Sequence, residues 1–238
     1  MKTIAIGVGG NENIIQACHI FKEKHPKTEL KLIYRDEDLV KAVLDDKIDG
    51  VIRGSLPASN IMKELKEHYP KLSRATYVHG DEYEFLLSPV GIDEGNTIEE
   101  KYDIAMNCSE FLKKVGKKPK IAVLAEGRED DFGRGSEVSN SIKDAKKLTR
   151  MIEETSEDVT NYFILIEKAI NDHCNVIIAP NGRVGNIIFR TLVLLSSWPS
   201  YGAVTFGIDR TYIDTSRDQS IEGYVRSLTL ANDLAEDK

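Results

Sequence analysis

Arginine beside glycine or serine recurs where the short apolar runs of this chain end. Arg53-Gly54-Ser55 follows the run at 50–52. Gly127-Arg128 and Phe132-Gly133-Arg134-Gly135-Ser136 follow 120–125. Asn181-Gly182-Arg183-Val184-Gly185-Asn186 follows 176–179, and Asp209-Arg210 and Thr215-Ser216-Arg217-Asp218 follow 203–208. Between Lys168 and Lys238 each Lys/Arg position is arginine: Arg183, Arg190, Arg210, Arg217 and Arg226. A guanidinium offers a planar fork of donors that matches phosphate and carboxylate, and small residues let a backbone approach such a group. A single arginine ordinarily pairs with surface carboxylates. Its recurrence at strand ends points to recognition of an anion, because ligands of open α/β sheets sit beyond the carboxyl ends of the strands.

The stretch 175–190, NVIIAPNGRVGNIIFR, states this most fully. A β-branched run stops at Pro180, a loop of turn residues follows, and Asn186 is placed to cap an apolar helix running toward Trp198. The first amides of a helix lack intrahelical partners and favour anions, and Arg183 adds a cation. The plainer reading is a tight turn whose glycines satisfy backbone geometry. Gly7-Val8-Gly9-Gly10-Asn11-Glu12 imitates a dinucleotide fingerprint, but Glu12 stands where the last glycine belongs. It also imitates the first glycine loop of an S-adenosylmethionine methyltransferase, with Asp36 as a ribose acid, or it is a simple strand–helix turn.

Other chemistries lack their residues. The histidines, His19, His25, His68, His79 and His173, have no ligand spacing, and CxxC and HExxH are absent, so no metal is expected. No Gly-x-Ser-x-Gly elbow supports a serine hydrolase. Cys18, Cys108 and Cys174 are scattered and odd in number, which argues against a disulfide framework and for a reducing cytoplasm. A net charge of −7 argues against nucleic acid and anionic membrane as partners. The N-terminus enters a predicted strand with no signal-peptide pattern. The apolar helix at 187–198 is too short to span a bilayer and contains Arg190.

The elements that must position these loops alternate. Strands are predicted at 3–8, 29–34, 50–53, 120–125, 176–178 and 203–208. Helices are predicted at 13–24, 39–46, 61–68, 139–154, 161–172, 187–198 and 222–235. Thr97 and Glu100 form a capping box for a further helix reaching Val115. The rhythm breaks near 73–93, where 76–79 and 84–89 suit an antiparallel pair. The reading is an α/β fold with a mainly parallel sheet, divided into a first subdomain of 1–72 plus 200–238 and a second of 73–199.

In their order, several segments resemble the phosphotransacetylase and phosphotransbutyrylase superfamily. Pro180–Arg190 matches its proline, loop, Gly-Asn and basic apolar helix, through Gly185, Asn186 and Arg190. Ser216-Arg217 resembles its C-terminal Ser-Arg, and 121–136 its strand and Ser/Gly-rich phosphate loop. IDGVIRGSLP at 48–57 resembles its Asp-Gly-x-Val-x-Gly segment, and 91–123 follows its order of helix, Gly116, Pro119 and strand. The resemblance implies two α/β/α subdomains of the isocitrate/isopropylmalate dehydrogenase-like fold, an interdomain cleft and a homodimer. It implies an anionic small-molecule substrate, phosphorylated or coenzyme-linked, with coenzyme A or a related thiol coenzyme as cofactor and S-adenosylmethionine as the alternative. It makes Ser216, Arg217 and Glu222 the catalytic candidates, and Arg53, Ser55, Gly135, Ser136, Asn181, Arg183, Gly185 and Asn186 the substrate-binding ones. Three departures stand out. Asp218 replaces the glycine after Ser-Arg, Gly223 stands about where the family's thiol-deprotonating acid belongs with Glu222 beside it, and DVTN at 158–161 replaces a Gly-Glu-x-Gln-x-Asp segment. The chain is also short for the family. With these changes it is most similar to the methanogen MtxX branch, methanogenesis marker 4, whose methyltransferase label the residues do not themselves carry. A transferase, a methyl-transfer subunit and an inactive binding protein are the functions this resemblance leaves open.

Overall fold

The computed structural model describes residues 1–235. The chain begins with β1 (Thr3–Gly7), α1 (Asn13–Lys24), β2 (Glu29–Ile33), α2 (Asp36–Leu44), β3 (Gly50–Ile52) and α3 (Ala58–His68). It continues with β4 (Ser73–His79), β5 (Glu84–Ser88), α4 (Ile98–Lys114), β6 (Lys120–Leu124), α5 (Ser136–Glu153), β7 (Asp158–Phe163) and α6 (Ile166–Asn171). Then come β8 (Val176–Ile178), α7 (Gly182–Phe189), a π-helical turn (Arg190–Leu195), β9 (Ser200–Phe206), β10 (Thr211–Asp214) and α8 (Ile221–Leu234). Two compact units form: Met1–Leu72 with Pro199–Lys238, and Ser73–Trp198.

In the first unit the strand order is β2-β1-β3-β10-β9. The first four strands are parallel and β9 is antiparallel to β10. Successive strand residues face opposite sides. Ala5, Val51 and Tyr212 therefore join Leu39, Val40, Val43, Ile61 and Leu65 of α2 and α3 in one core. Helices α1 and α8 pack on each other, and α8 lies along β3, β9 and β10. In the second unit the order is β4-β5-β8-β6-β7. Here β4 and β5 are antiparallel, as their alternation suggests, and β5, β8, β6 and β7 are parallel. Phe85, Leu87, Ala122, Leu124 and Ile177 build its core with Ala169 and Val193.

Two predicted elements are corrected and one strand is added. The helix expected at 161–172 is strand β7 followed by the short α6. Asp158–Phe163 supplies Val159, Thr160, Tyr162 and Phe163, side chains that suit a half-exposed strand paired to β6. Asn161 Oδ1 then accepts from the Phe163 amide at 2.9 Å, where Phe163 turns to φ 56°. A missed strand, β10, follows β9 by a hairpin at 207–210, so Thr215–Asp218 leaves the end of β10. Helix α7 begins at Gly182, and its cap is Asn181, whose Oδ1 accepts from the Val184 amide at 3.1 Å. Asn186 lies inside that helix. Among the described residues no helix is long and apolar enough to cross a membrane, and no cluster of three or more metal-ligating side chains forms.

Candidate functional site

In the first unit the loops after β1, β3 and β10 leave neighbouring parallel strands. The Arg53 guanidinium is buried. It pairs with Asp214 and donates to the carbonyls of Leu56 and Thr215, so it fastens the β3 loop to the end of β10. Buried Ser55 accepts from the Gly9 amide at 2.8 Å, and Thr215 donates to the Gly54 carbonyl at 2.8 Å. Arg53 and Ser55, both candidate substrate contacts, are therefore engaged internally. A Cβ on Gly7 would lie 2.2 Å from the Arg53 carbonyl and one on Gly9 2.4 Å from that of Ser55. These glycines make room for the adjoining β3 loop, whereas Gly10 has nothing within 4 Å.

Ser216 and Arg217 sit on this base. The Asn11 amide nitrogen donates to the Arg217 carbonyl at 2.8 Å and to that of Gln219 at 3.1 Å. The buried Tyr224 hydroxyl donates between the carbonyls of Ser216 and Arg217, each at 3.1 Å. Desolvation pushes the Tyr224 hydroxyl up to about 12, so it stays a proton donor at neutral pH. The Ser216 hydroxyl accepts from the Asp218 amide at 3.2 Å. Arg217 is exposed, and among the described residues its guanidinium meets no carboxylate. Ser220 caps α8 through the Gly223 amide, and Glu222 lies exposed in the first turn, where a negative charge suits the helix dipole. A Cβ on Gly223 would meet the buried Gln219 side chain at 2.4 Å. Gln219 thus fills the space beside Gly223.

In the second unit β6 and β8 are adjacent and parallel, and their following loops meet. Asn181 Nδ2 donates to Glu126 Oε1 at 2.7 Å, and the Glu126 amide donates to Ser141 Oγ at 3.0 Å. Buried Lys101 donates to the Pro180 carbonyl at 3.1 Å. Desolvation lowers its affinity for the proton, against the opposing fields of Asp144 and Glu126. Two of the first amides of α7 are already used: Gly182 donates to the Glu94 carbonyl at 3.1 Å, and Val184 to Asn181. A Cβ on Gly182 would lie 1.6 Å from the Gly91 carbonyl, and one on Gly185 1.9 Å from that of Pro89. Asn186 Nδ2 donates to the Val90 carbonyl at 3.0 Å. The Pro180–Asn186 segment is thus a packed joint with the β5 loop, and Arg183 alone of its candidate side chains is exposed. Gly135 and Ser136 are exposed where α5 begins.

Asn11, Tyr224, Glu126 and Lys101 were not singled out from sequence. Asn11 carried the only usable signal, a side-chain amide in the Gly-Gly loop after the first strand.

Both units place these loops beyond the carboxyl ends of parallel strands, where open α/β sheets bind their ligands. The fold is that of the branched-chain phosphotransacylase from Enterococcus faecalis V583, with a TM-score of 0.76 at 20% identity over 100% of both chains. A β-decarboxylating dehydrogenase from Thermococcus kodakarensis, 13% identical with a TM-score of 0.62, shares it, so the fold is the isocitrate dehydrogenase-like one. No family model matches the chain. An uncharacterized methyltransferase of Methanocaldococcus jannaschii is 38% identical over 233 residues, 94% of each chain. A protein of Methanosarcina barkeri, provisionally named methyltransferase mtx subunit X, is 37% identical over 196 residues, 80% of this chain and 72% of its own. The chain belongs to this MtxX family of methanogen proteins.

Proposed function

We propose that the protein is a phosphotransacylase-like transferase connected with methanogenesis, which binds an anionic small molecule, phosphorylated or coenzyme-linked, at Ser216-Arg217. One observation carries the reading. The Ser216-Arg217 backbone is tied inward by Asn11 and Tyr224, while the Arg217 guanidinium faces solvent with no acidic partner among the described residues. Arg217 grips the anion. Ser216 donates to the reacting oxygen, the kind of preorganised contact that stabilises developing charge. Glu222 is the proposed base.

Isothermal titration with coenzyme A and with inorganic phosphate tests this. At least one is expected to bind the wild-type protein and to lose most of its affinity in Arg217→Ala. Equal affinity in the two proteins would remove Arg217 from the site.

The names of the relatives favour a second reading, methyl transfer; the glycine pattern at Gly7–Gly10 makes that loop the proposed place for S-adenosylmethionine as donor. Gly7 and Gly9 are already used against the β3 loop, which leaves Gly10 as the open position. A ligand that binds the native state raises the melting temperature. No rise at millimolar S-adenosylmethionine would count against this reading. A homodimer also belongs to the proposal; Ile187 and Leu195 are 66% and 79% exposed on the α7 segment, and light scattering measures the mass directly.

A further inference from the structure

We infer that Asn11 and Tyr224 are positioning residues for the anion site, forming a clamp that fixes where the Arg217 guanidinium projects; this rests on the reading of Ser216-Arg217 given above. Each residue makes contacts that a purely local role does not require. Asn11 Oδ1 accepts from the Asn13 amide at 3.0 Å, an ordinary local turn at the start of α1. Its Nδ2 faces the other way, across 206 and 208 positions of sequence, to the carbonyls of Arg217 and Gln219. Asn13 Nδ2 adds a bond to the Gln219 carbonyl at 3.3 Å. Tyr224 lies fully buried in α8, and its hydroxyl emerges beneath the same loop to reach two successive carbonyls. Asn11 Nδ2 and the Tyr224 hydroxyl stand 3.5 Å apart, so the two act from one point.

The geometry has a consequence for the side chains. With the carbonyls of Ser216 and Arg217 held, the chain at 216–217 cannot rotate freely, and the exposed side chain of Arg217 starts from a fixed backbone. A long cation on a mobile loop loses rotamer and backbone freedom when it grips a ligand. A clamp that removes part of that freedom beforehand strengthens binding without touching the ligand. Arg53 holds the floor of the same loop through Thr215, so the clamp sets the outer half of a segment whose inner half is already fixed.

Two charge-neutral variants separate this role from folding. Asn11→Ser keeps an oxygen able to accept from the Asn13 amide but cannot reach the Arg217 carbonyl. Tyr224→Phe keeps the buried ring and removes only the hydroxyl. Both are expected to weaken binding of coenzyme A or inorganic phosphate at least tenfold. Both should also speed amide hydrogen exchange at 216–219, while the remaining core amides keep wild-type protection. Tyr224→Phe is expected to be no weaker folded than Arg217→Ala by more than a few degrees in melting temperature. Unchanged affinity in both variants, with affinity lost in Arg217→Ala, would overturn the clamp and leave the anion site standing. Arg217→Ala that binds as wild type does, or a wild-type protein that binds neither probe, would overturn the anion site and the positioning role together. Faster exchange at 216–219 without any change in affinity would make the clamp structural and likewise overturn it.

Discussion

Arg53 and Arg217 look alike in sequence, each beside a serine or one residue from it, yet burial gives them opposite work. Arg53 is 5% exposed and shares its guanidinium among the Asp214 carboxylate and two carbonyls. Removing one member of a buried ion pair leaves the other charge desolvated and unpaired, which costs about 3–5 kcal/mol. Arg53→Gln is therefore expected to lower folding stability by about that much in urea denaturation. Arg217→Ala, at an exposed side chain, is expected to change stability by no more than about 0.5 kcal/mol. A reversed order of the two effects would show that the roles are misassigned. The strand-end arginine pattern was legible in the sequence. Which arginine faces the solvent was not, because that depends on Asp214, which lies 161 positions away from Arg53 on a strand the alternation pattern missed. Asn11 was hidden for the same reason, because the fold brings its partner carbonyls from 206 and 208 positions away, and Tyr224 because its partners, though near in sequence, are backbone carbonyls that no residue type marks.

Elements were readable where one face carries the signal and misread where neighbours decide. Helix α1 begins and ends where its apolar spacing predicts, and Thr97 caps α4 through the Glu100 amide at 3.1 Å. Edge strand β7 is half exposed, so its six residues lack the apolar alternation of a buried strand, and a helix fitted them equally well. Helix α7 shows how close approach overrides propensity. An interior glycine costs a helix about 1 kcal/mol relative to alanine, so Gly185→Ala should stabilise an isolated helix. In the protein the new methyl carbon would stand 1.9 Å from the Pro89 carbonyl, a backbone atom that cannot swing aside. Overpacking of this kind costs about 1–3 kcal/mol or more, so the variant is expected to be less stable overall. Gly10→Ala, with nothing within 4 Å, is the control and should stay within about 0.5 kcal/mol of wild type. Equal thermal melts for the two variants would refute the packed joint between α7 and the β5 loop. The same joint takes up both glycines and the Gly182, Val184 and Gly185 amides of the Pro180–Asn186 motif, which the sequence leaves between an anion loop and a tight turn.

Across the whole molecule, the groups whose proton affinity folding changes fall on both sides of neutrality, and they set the pH range of stability. Burial would raise the Glu157 carboxyl, but bonds from Lys113 and Ser109 outweigh it and hold the group below its ordinary 4.5. Glu84 is lowered in the same way, with burial opposed by Lys117 and Tyr77. Above 4.5 both states of the chain have these carboxylates ionised, and their contribution to stability is complete. As the pH falls through the depressed folded values the unfolded chain binds more protons, so stability declines. The thiols act at the other end. Desolvation raises Cys18 from 9.0 to about 11, and raises Cys108 and Cys174 as well. Between 9.0 and the raised values the unfolded thiols are ionised while the folded ones keep their protons, so stability falls as pH rises. Under reducing conditions the urea midpoint is expected to form a plateau between about pH 5.5 and 8.5, with a decline on each side. Glu157→Gln should flatten the acid limb, and Cys108→Ala should flatten the alkaline limb while lowering the plateau through lost core packing. Cys18 lies in the first unit and the other four groups in the second, so Cys18→Ala separates the alkaline contribution of one unit from that of the other. An acid limb in Glu157→Gln that runs parallel to that of the wild type would show that the Lys113 and Ser109 contacts do not survive in solution.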